Sequence, residues 1–188
     1  ISERRFGRQR PNIHFIRQKE LNGLGDAIYH ARFHCKHEPF AVLLGDTIID
    51  SVIPVTQQLI DSYEQYGQTV VAVETVPWEK VSRYGIIGGN NLSDRVLQLN
   101  ELVEEPEQNQ APSNLAIAGR YILTPEIFRA LEKTPRGKGN EIQLTDALRI
   151  LLKEEGIIAT IMEGKRYDIG NKMDFLKTTV EFALKRKE

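Results

Sequence analysis

Residues 40–50 read FAVLLGDTIID, an unbroken apolar run stopped by Gly45-Asp46 and followed by a shorter run ending at Asp50. Five consecutive apolar residues halted by glycine describe a strand buried on both faces, of the kind found in a parallel sheet beneath helices. Ligands of open α/β sheets bind just beyond the carboxyl ends of such strands. Asp46 therefore stands where a carboxylate could hold a metal ion, and Gly45 would let a ligand approach the backbone closely. An isolated Gly-Asp pair also serves as a simple turn cap, so the assignment depends on the rest of the chain.

The flanking segments supply the other elements. Residues 13–17 form a short strand candidate, followed by the glycine-punctuated loop at 22–25. Residues 26–35 read as a helix with Ala27, Ile28, Ala31 and Cys35 on one stripe and Asp26 at its positive end. Pro54 suits a first helical position, and that helix should end at Gly67. Residues 68–76 (QTVVAVETV) make a second buried strand, and the β-α-β order predicts parallel pairing with a right-handed crossover. From Tyr84 the rhythm becomes a hairpin, with a turn at Gly88-Gly89-Asn90-Asn91 and a return strand at 95–104. A strand at 115–123 precedes a helix capped by Thr124 and Pro125. Asn140 is positioned to cap the next helix, whose stripe is Leu144, Leu148, Leu151 and Leu152, with Gly156 ending it. Strands at 157–162 and 167–170 lead to a last helix, 173–187, expected to bury Leu176, Val180, Ala183 and Leu184. The pattern predicts one domain: an α/β fold with a mixed, mostly parallel sheet and helices on both faces.

The totals narrow the function. Lys plus Arg number 25 against 26 Asp plus Glu in 188 residues, so no global charge points to nucleic acid or to an acidic membrane. No apolar run approaches the length of a bilayer span, and no signal-peptide pattern opens the chain. The single Cys35 excludes an intrachain disulfide and fits a reducing, cytoplasmic setting. Residues 1–10 (ISERRFGRQR) are charged and polar, without an initiator Met, and read as a fragment boundary.

Two acids fall at strand ends beside glycine: Asp46, and Asp168 in YDIGN. Two carboxylates meeting at one Mg²⁺, with water and phosphate oxygens completing the shell, are a common way to hold that ion. Only their convergence would separate this reading from two ordinary caps. His30, His34, Cys35 and His37 raise zinc, but no second ligand cluster exists and a solvated helix edge explains them better. Lys165-Arg166 and Arg136-Lys138 are small basic clusters, solvated or, alternatively, phosphate-facing. Trp78 should pack on the loop before Tyr84.

With these segments placed, the sequence resembles the bacterial UTP–glucose-1-phosphate uridylyltransferases of the sugar nucleotidyltransferase superfamily. The matching runs are RQKELNGLGDA (17–27), FAVLLGD (40–46), YG (84–85), LVEEP (102–106), APSNLAIAGRYIL (111–123), GNEIQLTDAL (139–148) and YDIGNK (167–172). Seven runs in order are a strong signal where any one is weak.

The resemblance implies a Rossmann-like domain, N-terminally incomplete, lacking its first strand and the glycine-rich loop that grips the triphosphate. It implies uridylyl transfer from UTP to α-D-glucose 1-phosphate, giving UDP-glucose and pyrophosphate, with this fragment alone inactive and the complete protein a homo-oligomer. Gln18 and Gly23 would contact uracil, and Asp46 and Asp168 would hold Mg²⁺. Gly85, Glu104 and the backbone of Ile117 would contact glucose, with Tyr121 and Glu141 lining the pocket. Glu105 stands where the family usually has a Lys that meets the sugar phosphate, and Asp26 where it commonly has His. The alternative is a non-catalytic sugar-nucleotide-binding or regulatory module.

Overall fold

The computed structural model describes residues 12–186. In chain order it contains α1 (Leu24–His30), α2 (Arg32–Cys35), β1 (Phe40–Leu43), β2 (Thr47–Asp50), α3 (Val55–Tyr66) and β3 (Thr69–Thr75). A 3₁₀ segment (Trp78–Arg83) leads to β4 (Gly85–Asn91), β5 (Val96–Glu104), β6 (Leu115–Leu123) and α4 (Ile127–Lys133). A 3₁₀ turn (Lys138–Asn140), α5 (Leu144–Glu154), β7 (Ile157–Ile161), β8 (Lys165–Asp168) and α6 (Lys172–Lys185) complete it.

Six strands form one sheet in the order β1-β6-β3-β7-β5-β4, and β2 and β8 form a separate two-stranded ribbon. The β-branched run of β3 explains its central place: Val71 and Val73 face one side, Val70 and Ala72 the other, and all four are fully buried. On the first side they meet Leu131 of α4 and Leu144, Leu148 and Leu151 of α5. On the second they meet Val55 and Leu59 of α3. Helices therefore cover both faces, as the pattern predicts.

The pairing differs from the expected one. β1 and β3 run the same way but are not neighbours, because β6 lies between them antiparallel to both. Among the described residues only β3 and β7 pair in parallel, so the sheet is mixed rather than mostly parallel. A β-α-β pattern fixes direction, but not which later strand is inserted between the two.

Four local expectations also change. Residues 88–91 belong to β4, and the turn lies at 92–95, where Leu92 and Ser93 N–H groups donate to Val96 O. The two glycines mark a register slip instead. A β-carbon on Gly89 would lie 2.6 Å from Gln98 O, closer than any side chain allows. Residues 13–17 form no strand; Phe15 is 94% exposed, and among the described residues no strand lies beside them. Asn140 does not cap α5, which begins after Gln143. Thr124 turns inward to Thr69 rather than capping α4 with its side chain.

Helix α6 is the largest departure. Leu176 and Val180 are exposed, Leu184 is 82% exposed, and the helix buries only Thr178. It rests on the β2–β8 ribbon, for example through Phe182 on Tyr167 with rings 5.1 Å apart. Two strands are too narrow to cover its apolar face. Trp78 opens the 3₁₀ segment leading to Tyr84 and stays largely exposed.

Candidate active site

β1 ends at the turn carrying Gly45 and Asp46, and β2 then pairs antiparallel with β8 so that Thr47 lies opposite Asp168. The Ile169 N–H donates to Asp46 O at 2.8 Å. This register brings both acids to one end of the ribbon, on either side of Gly170. A β-carbon on Gly170 would sit 3.3 Å from Asp168 Oδ1 and 3.6 Å from Asp46 Oδ2. The two carboxylates thus converge on a single point.

Each is held from the six-stranded sheet. Arg120 of β6 clamps the Asp46 turn, donating through Nη1 to Leu44 O (3.1 Å) and Gly119 O (2.9 Å), and through Nη2 to Thr47 O (2.5 Å). Burial lowers the Arg120 pKa, and the Asp46 charge opposes that shift. Asp168 Oδ2 accepts from the Tyr84 hydroxyl at 3.3 Å, and its Oδ1 from the Gly170 N–H at 3.1 Å. Arg166 lies over the Tyr84 ring, 4.5 Å from its centre, and pairs with Glu74 at 2.5 Å.

Both acids open into a cleft of about 240 Å³ whose walls include Gly85, Glu104, Ile117 and Tyr121. Gly85 and Glu104 are opposite partners in the β4–β5 ladder. A β-carbon on Gly85 would lie 3.1 Å from Glu104 Oε2, 3.3 Å from Ile117 Cδ1 and 3.4 Å from Thr145 Oγ1. Glycine there keeps the floor open. Burial, with the Glu104 carboxylate adding to it, raises the Tyr121 pKa and keeps its hydroxyl protonated. Six of the ten residues singled out in the sequence therefore share one cleft: Asp46, Asp168, Gly85, Glu104, Ile117 and Tyr121. A larger hollow of about 650 Å³ under α6 contains none of them.

The other four lie beside it. Gly45 sits in the Asp46 turn with open space where a side chain would be. Gln18, Gly23 and Glu141 form a neighbouring cluster. Gly23 has φ +99°, and a β-carbon there would come within 2.8 Å of Glu141 Cβ and Ile142 O, so the loop requires glycine. The Gln18 amide donates to Asp26 Oδ2 at 2.6 Å and to Gly23 O at 3.3 Å. Gln143 joins the cluster to the cleft: its Nε2 donates to Glu141 Oε2 at 3.2 Å, and it lines the cleft.

Sequence reasoning overlooked Thr47, Arg83, Tyr84, Gln143 and Thr145 as cleft residues and Arg120 as the clamp on the Asp46 turn, and read Arg166 only as part of a basic cluster. The available signal was a charge inside an otherwise strand-like run, as at Arg120 and Arg166. His30 Nδ1 lies 2.8 Å from Asp26 O. Among the described residues no group of three His, Cys, Asp or Glu could hold a metal. Asp46 and Asp168 offer two carboxylates near one point, beside Gly170, as candidate hard oxygen ligands. That arrangement fits an ion that takes the rest of its shell from water and phosphate.

The chain belongs to the nucleotidyl transferase family, which matches residues 2–184. It is 49% identical over 177 residues to a UTP–glucose-1-phosphate uridylyltransferase of Staphylococcus epidermidis, covering 94% of this chain and 62% of that protein. A second such enzyme, from Staphylococcus saprophyticus, is 49% identical over 181 residues, with 96% and 63% covered. A crystal structure of UDP-glucose pyrophosphorylase complexed with UDP-glucose superposes with TM-score 0.88 at 43% identity, covering 92% of this chain and 66% of that one. UTP-bound UGPase from Acinetobacter baumannii gives TM-score 0.83 at 32% identity, covering 92% and 60%. The chain thus spans a little over 60% of the length of these curated relatives. Among the described residues no helix is long and apolar enough to cross a membrane.

Proposed function

We propose that the protein carrying this chain transfers a uridylyl group from UTP to α-D-glucose 1-phosphate, giving UDP-glucose and pyrophosphate. The observation that carries the reading is the convergence of Asp46 and Asp168 in the cleft walled by Gly85, Glu104, Ile117 and Tyr121. Relatives with that printed activity at 49% identity support it.

In the reaction a phosphate oxygen of glucose 1-phosphate attacks the α-phosphorus of UTP. One P–O bond forms as the bond to the pyrophosphate oxygen breaks, and pyrophosphate leaves with the electron pair. Such a step depends on alignment and on charge neutralisation. Glu104, on the floor of the cleft, would accept two sugar hydroxyls, and Gly85 beside it would leave the ring room. Gln18, with its amide hydrogens turned to Asp26 and Gly23, would present its oxygen as an acceptor to the uracil imide N–H. Asp46 and Asp168 would hold Mg²⁺, which supplies charge neutralisation at the phosphates. Arg83 and Arg166 bring positive charge to the same cleft. We also place the protein in the cytoplasm as a homo-oligomer without nucleic acid or membrane partners. The single cysteine, the near-neutral net charge and the exposed apolar face of α6 support this.

The test mixes the protein with UTP, glucose 1-phosphate and Mg²⁺, and follows phosphorus resonances while UDP-glucose binding is measured by calorimetry. UDP-glucose and pyrophosphate should appear in equal amounts, and Asp168→Asn should remove turnover while UDP-glucose still binds. Binding without turnover would assign the chain to a non-catalytic sugar-nucleotide-binding module. Neither binding nor turnover would sink the reading.

A further inference from the structure

We infer that Tyr84 is a positioning residue for Asp168, held in register by a Glu74–Arg166 pair that ties the metal-facing ribbon to the main sheet. The inference rests on the reading that Asp46 and Asp168 hold a divalent cation. A carboxylate at the tip of a two-stranded ribbon rotates freely unless donors fix it. Asp168 has two: the Gly170 N–H at Oδ1 and the Tyr84 hydroxyl at Oδ2. Gly170 follows Asp168 in the same turn and moves with it. Tyr84 immediately precedes β4 and does not, so among the described residues this bond ties the carboxylate to the floor of the cleft.

Tyr84 must itself be held. Two cations approach its ring, the Arg166 guanidinium at 4.5 Å from its centre and Arg83 at 5.8 Å. Arg166 is the firmer support, because its side chain is only 7% exposed. A buried guanidinium keeps its place only when its donors are met. Glu74 of β3 takes its Nε at 2.5 Å, and Ile117 O of β6 lies 3.5 Å from Nη1. The route from β3 through Arg166 and Tyr84 to Asp168 therefore crosses from the six-stranded sheet to the ribbon. Outer partners of metal ligands set ligand orientation in just this manner, and losing one typically costs about 10–100-fold in metal affinity. Glu74 does not line the cleft; its charge also acts on the ion through space, a contribution that falls as salt is raised, whereas the route through Arg166 and Tyr84 persists in salt.

The experiment titrates Mn²⁺ into the full chain saturated with UDP-glucose, reading free ion by electron paramagnetic resonance, with melting temperatures measured in parallel. Tyr84→Phe should weaken Mn²⁺ about tenfold, and Glu74→Gln, which lies outside the cleft lining, by a smaller, resolvable factor at unchanged UDP-glucose affinity. Asp168→Asn should abolish Mn²⁺ binding. If it does, but Tyr84→Phe and Glu74→Gln leave the Mn²⁺ affinity as in the parent, the positioning role is overturned while the metal reading survives. A shift for Tyr84→Phe alone overturns the part given to Glu74 and Arg166. Mn²⁺ binding that is absent in the parent, or unchanged in Asp168→Asn, overturns both. Should Tyr84→Phe fold poorly, Glu74→Gln carries the same decision.

Discussion

Gly85, Glu104, Ile117 and Tyr121 stand on strands of the six-stranded sheet, whereas Asp46 and Asp168 stand at the tip of the two-stranded ribbon. The first group inherits its geometry from backbone ladders, with β6 paired to β1 and β3 and α5 packed beneath. The second group cannot, since an isolated pair of strands is marginal by itself. Side chains hold the ribbon instead. Arg120 clamps one acid's turn and Tyr84 fixes the other acid. Beneath α6, Lys185 bonds Asp50 and the Tyr167 hydroxyl, while Tyr167 and Lys165 both donate to Glu181. On the proposed reading, a floor set by backbone would keep a fixed shape for a sugar, and a rim set by charged side chains would adjust around an ion and phosphates, at the cost of sensitivity to pH and salt.

Two glycines test that division most strongly. Gly170→Ala places a methyl 3.3 Å from Asp168 Oδ1 and 3.6 Å from Asp46 Oδ2, crowding both proposed ligands. It should lower divalent-ion affinity by at least about tenfold, the scale of a disturbed ligand set. UDP-glucose binding measured without metal should be unchanged. Gly85→Ala does the reverse. Its methyl lies 3.1 Å from Glu104 Oε2 and narrows the floor. Overpacking of about 1–3 kcal/mol should weaken UDP-glucose by about 5–150-fold and leave Mn²⁺ binding alone. If either substitution damaged both ligands equally, floor and rim would be one mechanical unit.

The ribbon should also be the first part to loosen in acid. Donation from Lys165, then from Tyr167, holds the Glu181 carboxyl at about 2, below its ordinary 4.5. A depressed carboxyl stabilises the fold above its unfolded value, and that contribution is lost as pH falls through the folded value. The window is therefore about 4.5 down to about 2. Lys185 has the opposite sign. Its partners raise it above 10.5, so its contribution is complete below 10.5 and fades only in strong alkali. Because these groups are exposed the effect is modest and salt-screened. Hydrogen-exchange protection, corrected for intrinsic rates, should fall for Ile48 and Ile49 between pH 5 and pH 3 and hold for Val71 and Ile158. Glu181→Gln should flatten the change, and equal loss in both regions would contradict the comparison.

The same contrast explains what the sequence revealed. The floor was legible: β6 and β3 are apolar runs with clean ends, and their observed limits, Leu115–Leu123 and Thr69–Thr75, lie within a residue of the expected ones. Asp46 and Asp168 were legible from local pattern as acids at strand ends, and as neighbours only through the family resemblance. Their meeting depends on β2 pairing with β8 across more than a hundred residues of chain, which no local pattern encodes. Sheet order failed for the same reason, since nothing in β1 or β3 announces that β6 will enter between them. Helix α6 shows a further limit: periodicity reports an apolar face, not what covers it. Tyr84, Arg120 and Arg166 were missed because each acts by holding another group, and that role appears only in three dimensions.

Glu105 carries the smallest expected effects and belongs to neither floor nor rim. It follows β5, is exposed, and has φ +42°, a left-handed backbone that ordinary side chains adopt at a cost. Its N–H donates to Tyr84 O at 3.0 Å, so the strand pair helps to fix the conformation. Glu105→Gly removes the steric cost of about 1–2 kcal/mol but frees the unfolded chain by about 0.4–1 kcal/mol. The net gain in stability should be at most about 1.6 kcal/mol, a rise of a few degrees in Tm. Glu105→Lys leaves the backbone cost in place and changes only charge. Across solvent such a charge is worth about 1 kcal/mol at contact distance, so kcat/KM for glucose 1-phosphate should rise several-fold at low salt. At about 1 M salt, where screening acts within about 3 Å, the gain should vanish. A gain that persisted in salt would mean direct contact with the sugar phosphate and would make Glu105 part of the rim. No gain at low salt would leave the phosphate to Arg83 and Arg166, the cations that already line the cleft.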